Sequence, residues 1–344
     1  MKTRRYESPV APARQAPPKP VQVPVEAPAK VQQVEVGERG EGQRLDNFLG
    51  RILKDVPKSH IFRVVRKGEV RVNGKRAKPD QRLLASDIVR VPPVRTGAAA
   101  PPRRAPPAMV QGLSGAIIYE DPRLLVIDKP AGIAVHGGSG VSFGVIEALR
   151  AARPDETLEL VHRIDRDTSG LLLVSRKPAA LRTLHALLRD GQVEKRYLAL
   201  VKGKWELGKK RIDVPLRTDI RVGGERTVKA HESGKEAVSV FKPVQFFGKK
   251  ASLVEVELET GRTHQIRVHA AHAGYPLAGD EKYGEADFNE KMKASGLTRM
   301  FLHAHQVSFV WPDTGMEFSV SSPLPADLSA VIDALNAPKE KKSS

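Results

Sequence analysis

Val161-His162-Arg163-Ile164-Asp165-Arg166-Asp167-Thr168-Ser169-Gly170-Leu171-Leu172-Leu173-Val174 sets two carboxylates, two guanidiniums and an imidazole within six residues, ahead of an unbroken apolar run. The segment 168–170 reads as a turn, and 171–174 as a strand buried on both faces. A charged loop running into a buried strand is a place where a reactive carboxylate can be held rigidly. The competing reading is a solvated turn of alternating charge. What flanks the stretch decides between them.

Outward from it, helix and strand signals alternate without βαβ regularity. Towards the N-terminus, 117–120 and 124–128 form a hairpin pattern about an Asp121-Pro122 turn. The Gly-rich 134–140 reads as a flexible loop, too unlike a phosphate-binding fingerprint to be a nucleotide site. A helix is expected over 143–151. Towards the C-terminus, Leu181, Leu184, Leu187 and Leu188 predict a helix over 178–189. Strands are expected at 194–201, 237–241, 253–258, 301–305 and 307–310. A helix running to His272 and capped by Gly274, and another over 325–336, complete the list. The fold class is α+β, a mixed and mostly antiparallel sheet with flanking helices.

Ahead of this lies a smaller unit. Leu45, Phe48, Leu49, Ile52 and Leu53 trace one face of a helix, and Ser59 is the expected N-cap of a second that ends at Gly68. On that helix Arg63, Arg66 and Lys67 fall away from the apolar stripe. Arg71, Lys75 and Arg76 flank Asn73-Gly74, a type I′ hairpin signal, and a last strand is expected over 87–92. Residues 41–93 hold 13 Lys or Arg against 6 Asp or Glu. The cations cluster by face as well as by number, which suits a phosphate backbone. The domain boundaries expected are a disordered Pro-rich tail over 1–38, the basic module over 39–93, a Pro/Ala/Arg linker over 94–110, a catalytic domain over 111–337 and a basic tail over 338–344.

Charge and composition narrow the chemistry. The 344 residues carry a net charge of +17, which points to a polyanionic partner, and contain no cysteine. Thiolate nucleophiles, disulfides and Cys-type zinc sites are thereby excluded. There is no apolar run of the roughly eighteen residues that a membrane span needs. The N-terminus reads as no secretory signal, so the expected location is the cytoplasm and the expected state a monomer.

Three constellations remain for function. Asp165 or Asp167 can pair with a distant guanidinium, Arg262 or Arg267, as a buried carboxylate must to stay ionised. Such an aspartate can act as a nucleophile or base without a metal. His264, His269, His272, His303 and His305 form a second set, whose spacing suits packing or RNA contact better than a metal site. Tyr197, in the strand 194–201, reads either as core or as a ring that stacks on an extruded base.

The stretch 162–170 resembles the HRLDxxTSG signature of the RluA-type pseudouridine synthases, with Ile164 where leucine is usual. Residues 195–203 and 261–269 resemble that family's other motifs, in the same order, and 275–284 the segment that follows. Residues 44–76 resemble the S4-type RNA-binding module found ahead of some members. The resemblance spans about residues 40–335. It implies that Asp165 is the catalytic aspartate, Arg267 its paired guanidinium and Tyr197 the ring against the base. Arg163 would fill the gap left by the flipped nucleotide, with Arg166 and Arg262 on the RNA. It further implies large-subunit (23S) ribosomal RNA as partner, naked or in an assembly intermediate, with no cofactor and no metal. Two other readings stay open at this point: an RNA-binding assembly or regulatory protein without catalysis, and a metal-dependent phosphodiesterase using Asp165, Asp167 and the late histidines.

Overall fold

The computed structural model describes residues 31–37, 40–53, 56, 58–93, 105–137, 143–220 and 226–337. The chain divides into two compact units, Met1–Pro102 and Arg103–Ser344. No helix among the described residues is long and apolar enough to cross a membrane.

In the first unit, helices α1 (Leu45–Ile52) and α2 (Lys58–Lys67) pack on a four-stranded sheet. Leu45, Phe48 and Leu49 are buried on α1, as their spacing requires. Helix α2 begins at Lys58, so Ser59 lies within its first turn and is not its N-cap. Gly68 ends it at φ 77°. The sheet order is β1 (Gln32–Glu35), β4 (Ile88–Val91), β2 (Arg71–Val72), β3 (Lys75–Arg76). Asn73 and Gly74 both take positive φ between β2 and β3, as a type I′ turn demands. Strand β1 corrects the expectation that the tail is disordered as far as residue 38. Val34 and Val36 alternate towards the core, Val36 is fully buried, and the strand pairs antiparallel with β4. Residues 1–30 lie outside the described residues, as do 94–104 and 338–344.

The second unit opens with α3 (Pro107–Gly115), whose first turns fall in the stretch expected to be linker. Proline is tolerated in a first helical turn, and Leu113 is buried on the side that meets α4 (Val145–Ala152). A ten-stranded sheet follows. Its main path runs β10 (Lys210–Asp213), β13 (Val238–Phe247), β14 (Ala251–Leu258), β9 (Glu194–Lys202), β15 (Leu302–Val310), β8 (Ser169–Ser175), β6 (Leu124–Lys129), β5 (Ile117–Glu120). Strand β16 (Glu317–Ser321) adds to β15, and β7 (Glu159–Leu160) to β8. Every pairing is antiparallel except that of β8 with β15, so the sheet is mixed and mostly antiparallel, as read. Helix α5 (Pro178–Arg189) packs on β8. The helices α6 (Gln265–His272), α7 (Ala286–Lys293) and α8 (Ala326–Asn336) complete the unit, and β11 (Leu216–Ile220) pairs with β12 (Arg226–Ala230) as a separate ribbon.

Strand β8 is buried along its whole length, and it starts at Ser169. The turn therefore sits at Arg166-Asp167, two residues earlier than the sequence suggests. Gly170 explains the difference. At φ 106° it lies in the parallel contact with β15, and a Cβ there would stand 2.3 Å from the Ala304 carbonyl oxygen. Gly170→Ala is expected to cost roughly 3 kcal/mol, from backbone strain and the forced separation of the two strands. Denaturant unfolding checks it; an unchanged midpoint would contradict this packing. The late strands 301–305 and 307–310 are one strand, β15, with a register shift against β9 between Ala304 and Gln306. That irregularity breaks the period-2 pattern and makes one strand look like two.

Candidate active site

The loop 161–168 joins β7 to β8 and carries Asp165. Its backbone is tied down from several sides. Val161 N–H donates to Leu173 O (3.1 Å), and the Leu173 N–H donates to His162 Nε2 (3.1 Å). The imidazole must therefore be neutral at that nitrogen, and burial pushes its pKa down to about 4. Arg166 O accepts from Gly132 N–H (2.8 Å) and from Lys129 Nζ (2.9 Å). Lys129 is fully buried and also donates to Pro130 O and Ile133 O. Burial lowers its pKa to about 7, against the opposing charges of Asp167 and Asp165.

Arg267 comes from the first turn of α6. The entry to that helix is strained, with His264 at φ 54°. The buried Gln265 amide holds the entry: its oxygen accepts from Thr260 Oγ1 (2.7 Å) and Arg262 N–H (2.9 Å), and its nitrogen donates to Val238 O and Ser239 Oγ. Arg267 Nη1 then donates to Asp165 Oδ2 at 3.2 Å. Of the four pairings open in the sequence, Asp165 with Arg267 is the one formed. Asp167 pairs with Arg166 (3.0 Å), and Arg262 donates to Glu236 O.

A third member was missed by the sequence reading. Asp280 is 1% exposed and grips Arg267 in bidentate fashion, Nε to Oδ2 at 2.7 Å and Nη2 to Oδ1 at 2.8 Å. Burial works to raise the Asp280 pKa. The hydrogen bonds and charge of Arg267, with the Tyr283 and Lys282 N–H groups, outweigh it and hold the pKa below the ordinary carboxylate value. For Arg267, burial opposes the charge, and Asp280 and Asp165 more than restore it. Asp280 sits in a segment quoted for its likeness to the family, yet nothing local marks it as a guanidinium partner.

Tyr283 and His264 close the site. The Tyr283 hydroxyl accepts from Val228 N–H (3.0 Å) and is 2.8 Å from His264 Nδ1. His264 Nε2 faces Asp165 Oδ2 at 4.0 Å, and carries the proton on that side in the tautomer whose Nδ1 accepts from the Tyr283 hydroxyl. Burial lowers the His264 pKa, and the Asp165 charge opposes this in part. Three of the other candidate histidines have separate partners. His269 bonds Ser239 Oγ and Val214 O, His303 bonds Ser169 Oγ and Ser322 O, and His305 lies against Glu255. Among the described residues, no three His, Asp or Glu side chains converge as metal ligands.

Asp165, Tyr197 and Arg267 line one cavity of about 530 Å³, with Arg163 and Arg262 at its edge. Tyr197 is 6% exposed on the inner face of β9. Burial first, and the Asp165 charge second, raise its pKa, so the ring stays a neutral phenol. Arg166 instead borders a neighbouring cleft on the other side of Asp165, next to Lys282 and Arg299. In the first unit, Arg63, Arg66, Lys67, Arg71, Lys75 and Arg76 are all exposed.

The site is thus an oriented aspartate paired with a buried guanidinium on the wall of a cavity of about 530 Å³. Residues 123–272 match the family described as RNA pseudouridylate synthase, and residues 43–89 match the S4 domain. A ribosomal large subunit pseudouridine synthase C from Pasteurella multocida is 50% identical over 316 residues, covering 91% of this chain and 96% of its own length. The chain belongs to the RNA pseudouridylate synthase family. The protein of the same name from Escherichia coli (strain K12) is 48% identical over 298 residues, 86% of this chain and 93% of its own. Among solved structures, human RNA pseudouridylate synthase domain containing 4 superposes with a TM-score of 0.55 at 23% identity, covering 66% of this chain and 95% of that one. That likeness is one of fold. As a pseudouridylate synthase the chain is an enzyme, and the S4 match lies wholly within its basic first unit.

Proposed function

We propose that this synthase converts specific uridines of large-subunit ribosomal RNA to pseudouridine, and that Asp165 opens the reaction. The observation that carries the reading is the Asp165 carboxylate, held 3.2 Å from Arg267 on the wall of the 530 Å³ cavity. The substrate class follows from the relatives of that name, which match about nine-tenths of this chain.

The chemistry breaks the N1–C1′ bond, turns the uracil and rejoins it through C5. Asp165 either attacks C1′ or takes a proton from C2′. Arg267 keeps that carboxylate charged and aimed, and the Tyr197 ring packs against the base. A uridine must leave its stack to reach Asp165, at a cost of a few kcal/mol, so loops are favoured over duplex. Arg163 enters the gap it leaves, and Arg166 and Arg262 hold the flanking strand. The S4-type unit supplies phosphate contacts through Arg63, Arg66, Lys67, Arg71, Lys75 and Arg76, which raise affinity without reading bases. The enzyme acts as a monomer in the cytoplasm, on naked ribosomal RNA or an assembly intermediate.

The test is pseudouridine mapping of large-subunit ribosomal RNA, by carbodiimide adducts and primer extension, in cells with and without this protein. Some signals are expected to vanish on deletion and return with the full chain. A chain lacking residues 1–93 is expected to restore them poorly, yet to convert a short RNA that contains the same site. Unchanged signals on deletion would remove the ribosomal assignment. Equal loss on the short RNA would remove the division of labour between the two units.

A further inference from the structure

We propose that Lys195 is a further catalytic residue: its side-chain nitrogen donates a hydrogen bond to a carbonyl oxygen of the target uracil and stabilises the base as it departs. The inference rests on the reaction proposed above and assigns a group to the half of it that Asp165 does not touch.

Lys195 is 9% exposed and lines the cavity that holds Asp165 and Tyr197. Among the described residues no carboxylate or carbonyl takes a hydrogen bond or ion pair from it. Lys129 makes the contrast, since that fully buried lysine is satisfied by three carbonyl oxygens. The Lys195 nitrogen is not among the fully enclosed unbonded atoms, so it opens onto the cavity, where an acceptor from outside can replace water. Lys195 stands two residues from Tyr197 on β9, hence on the same face of the sheet and roughly 7 Å along the strand. Its nitrogen lies 3.9 Å from where a Cβ on Gly261 would stand, beneath the loop that leads into α6.

What reaches that depth is decided by exposure. Arg163, Arg189 and Arg262 border the same cavity and are exposed, so backbone phosphates meet them first. The base is the part of the nucleotide that enters the buried floor, and its acceptors are O2 and O4. When the N1–C1′ bond breaks, its electron pair leaves with the uracil, whichever way Asp165 acts. The resulting anion spreads its charge over N1, O2 and O4. A fixed donor binds that anion more strongly than the neutral base, which is the condition for lowering the barrier. The pair is then spent in the new C5–C1′ bond, and the C5 proton leaves; no oxidant or co-reactant enters.

The experiment is single-turnover cleavage of the glycosidic bond by the full chain on a short RNA carrying uridine or 5-fluorouridine at the target. Wild type, Lys195→Met and Lys195→Arg are compared, and RNA affinity and thermal unfolding are read alongside. Lys195→Met is expected to slow uridine cleavage by about 10²-fold with RNA affinity little changed, the loss typical of removing one oxyanion donor. Lys195→Arg should recover part of the rate. Fluorine stabilises the departing anion by itself, so the same substitution should slow 5-fluorouridine by only about tenfold. Equal losses on both RNAs, a wild-type rate, or a loss confined to affinity would each overturn the role. Should Lys195→Met not fold, Lys195→Gln carries the same comparison. If wild type itself left both RNAs unchanged, the proposed function would fall, and not this residue's part in it alone.

Discussion

Asp165→Asn is expected to abolish pseudouridine formation while leaving the fold and RNA affinity in place. The loop that carries Asp165 is fixed by its backbone and by Lys129, His162 and His185, none of which bonds the Asp165 carboxylate. Arg267 keeps its bidentate grip on Asp280 when the Asp165 charge is removed, so no buried guanidinium is stranded. The asparagine carbonyl can still accept from Arg267 Nη1. Stability should therefore stay within about 1 kcal/mol of wild type. What is lost is the only function an amide cannot supply at this position, attack on carbon or removal of a proton. The rate on a short RNA should fall by about 10⁴-fold or more, as when the central member of a catalytic group is removed. Single-turnover conversion, read by nuclease digestion and chromatography, measures it. Appreciable remaining turnover would transfer the role to another group.

That result would also measure how far the chain could be read from its residues alone. Local periodicity located α1 and placed α5 at its observed bounds, because each buries one apolar stripe, at i, i+3 and i+4 in α1 and at i, i+4 and i+7 in α5. It overlooked α7, where Phe288 and Met292 are the only buried residues. Two anchors four residues apart are too few to show a period. It overlooked β1 because a short strand in a Pro/Ala/Val-rich stretch is defined by its partner β4 and not by its own composition. The β11–β12 ribbon escaped for a related reason. Its role is to cover α6, where Val268 packs with Leu216 and Val228, and to present the Val228 N–H to Tyr283.

The site divides along the same line. Asp165 and Arg267 stand out in charged motifs, although they are 102 positions apart and only the fold selects their pairing. Asp280 and Lys195 lie in stretches that resemble the family's, but nothing in those stretches marks their partners. The first is significant because it meets Arg267, the second because it meets no protein partner at all among the described residues. Both are properties of the tertiary arrangement.

Asp280→Asn is expected to do what Asp165→Asn does not, and lower stability and activity together. Arg267 is 8% exposed, and Asp280 supplies two of its three carboxylate hydrogen bonds. Removing one partner of a buried pair costs about 3–5 kcal/mol, and here it leaves Arg267 with the single Asp165 bond. The freed guanidinium also shifts towards Asp165 and disturbs the carboxylate it had been aiming. The pH dependence has a defined sign. The folded-state pKa of Asp280 is depressed, so the stability it contributes is fully present above the ordinary unfolded value of about 3.9. It is lost as pH falls through the lower, folded value. The gap between wild type and variant in denaturant unfolding should hence be constant near neutrality and close below about pH 4. A double variant, Asp280→Asn with Arg267→Met, separates the two effects. It removes the stranded charge along with its partner and should regain part of the lost stability, since well-packed apolar groups replace buried pairs at little cost. It should regain none of the activity, because Asp165 then has no guanidinium beside it. A double variant no more stable than Asp280→Asn would show that the loss arises elsewhere, in the Lys282 and Tyr283 backbone turn that Asp280 also caps.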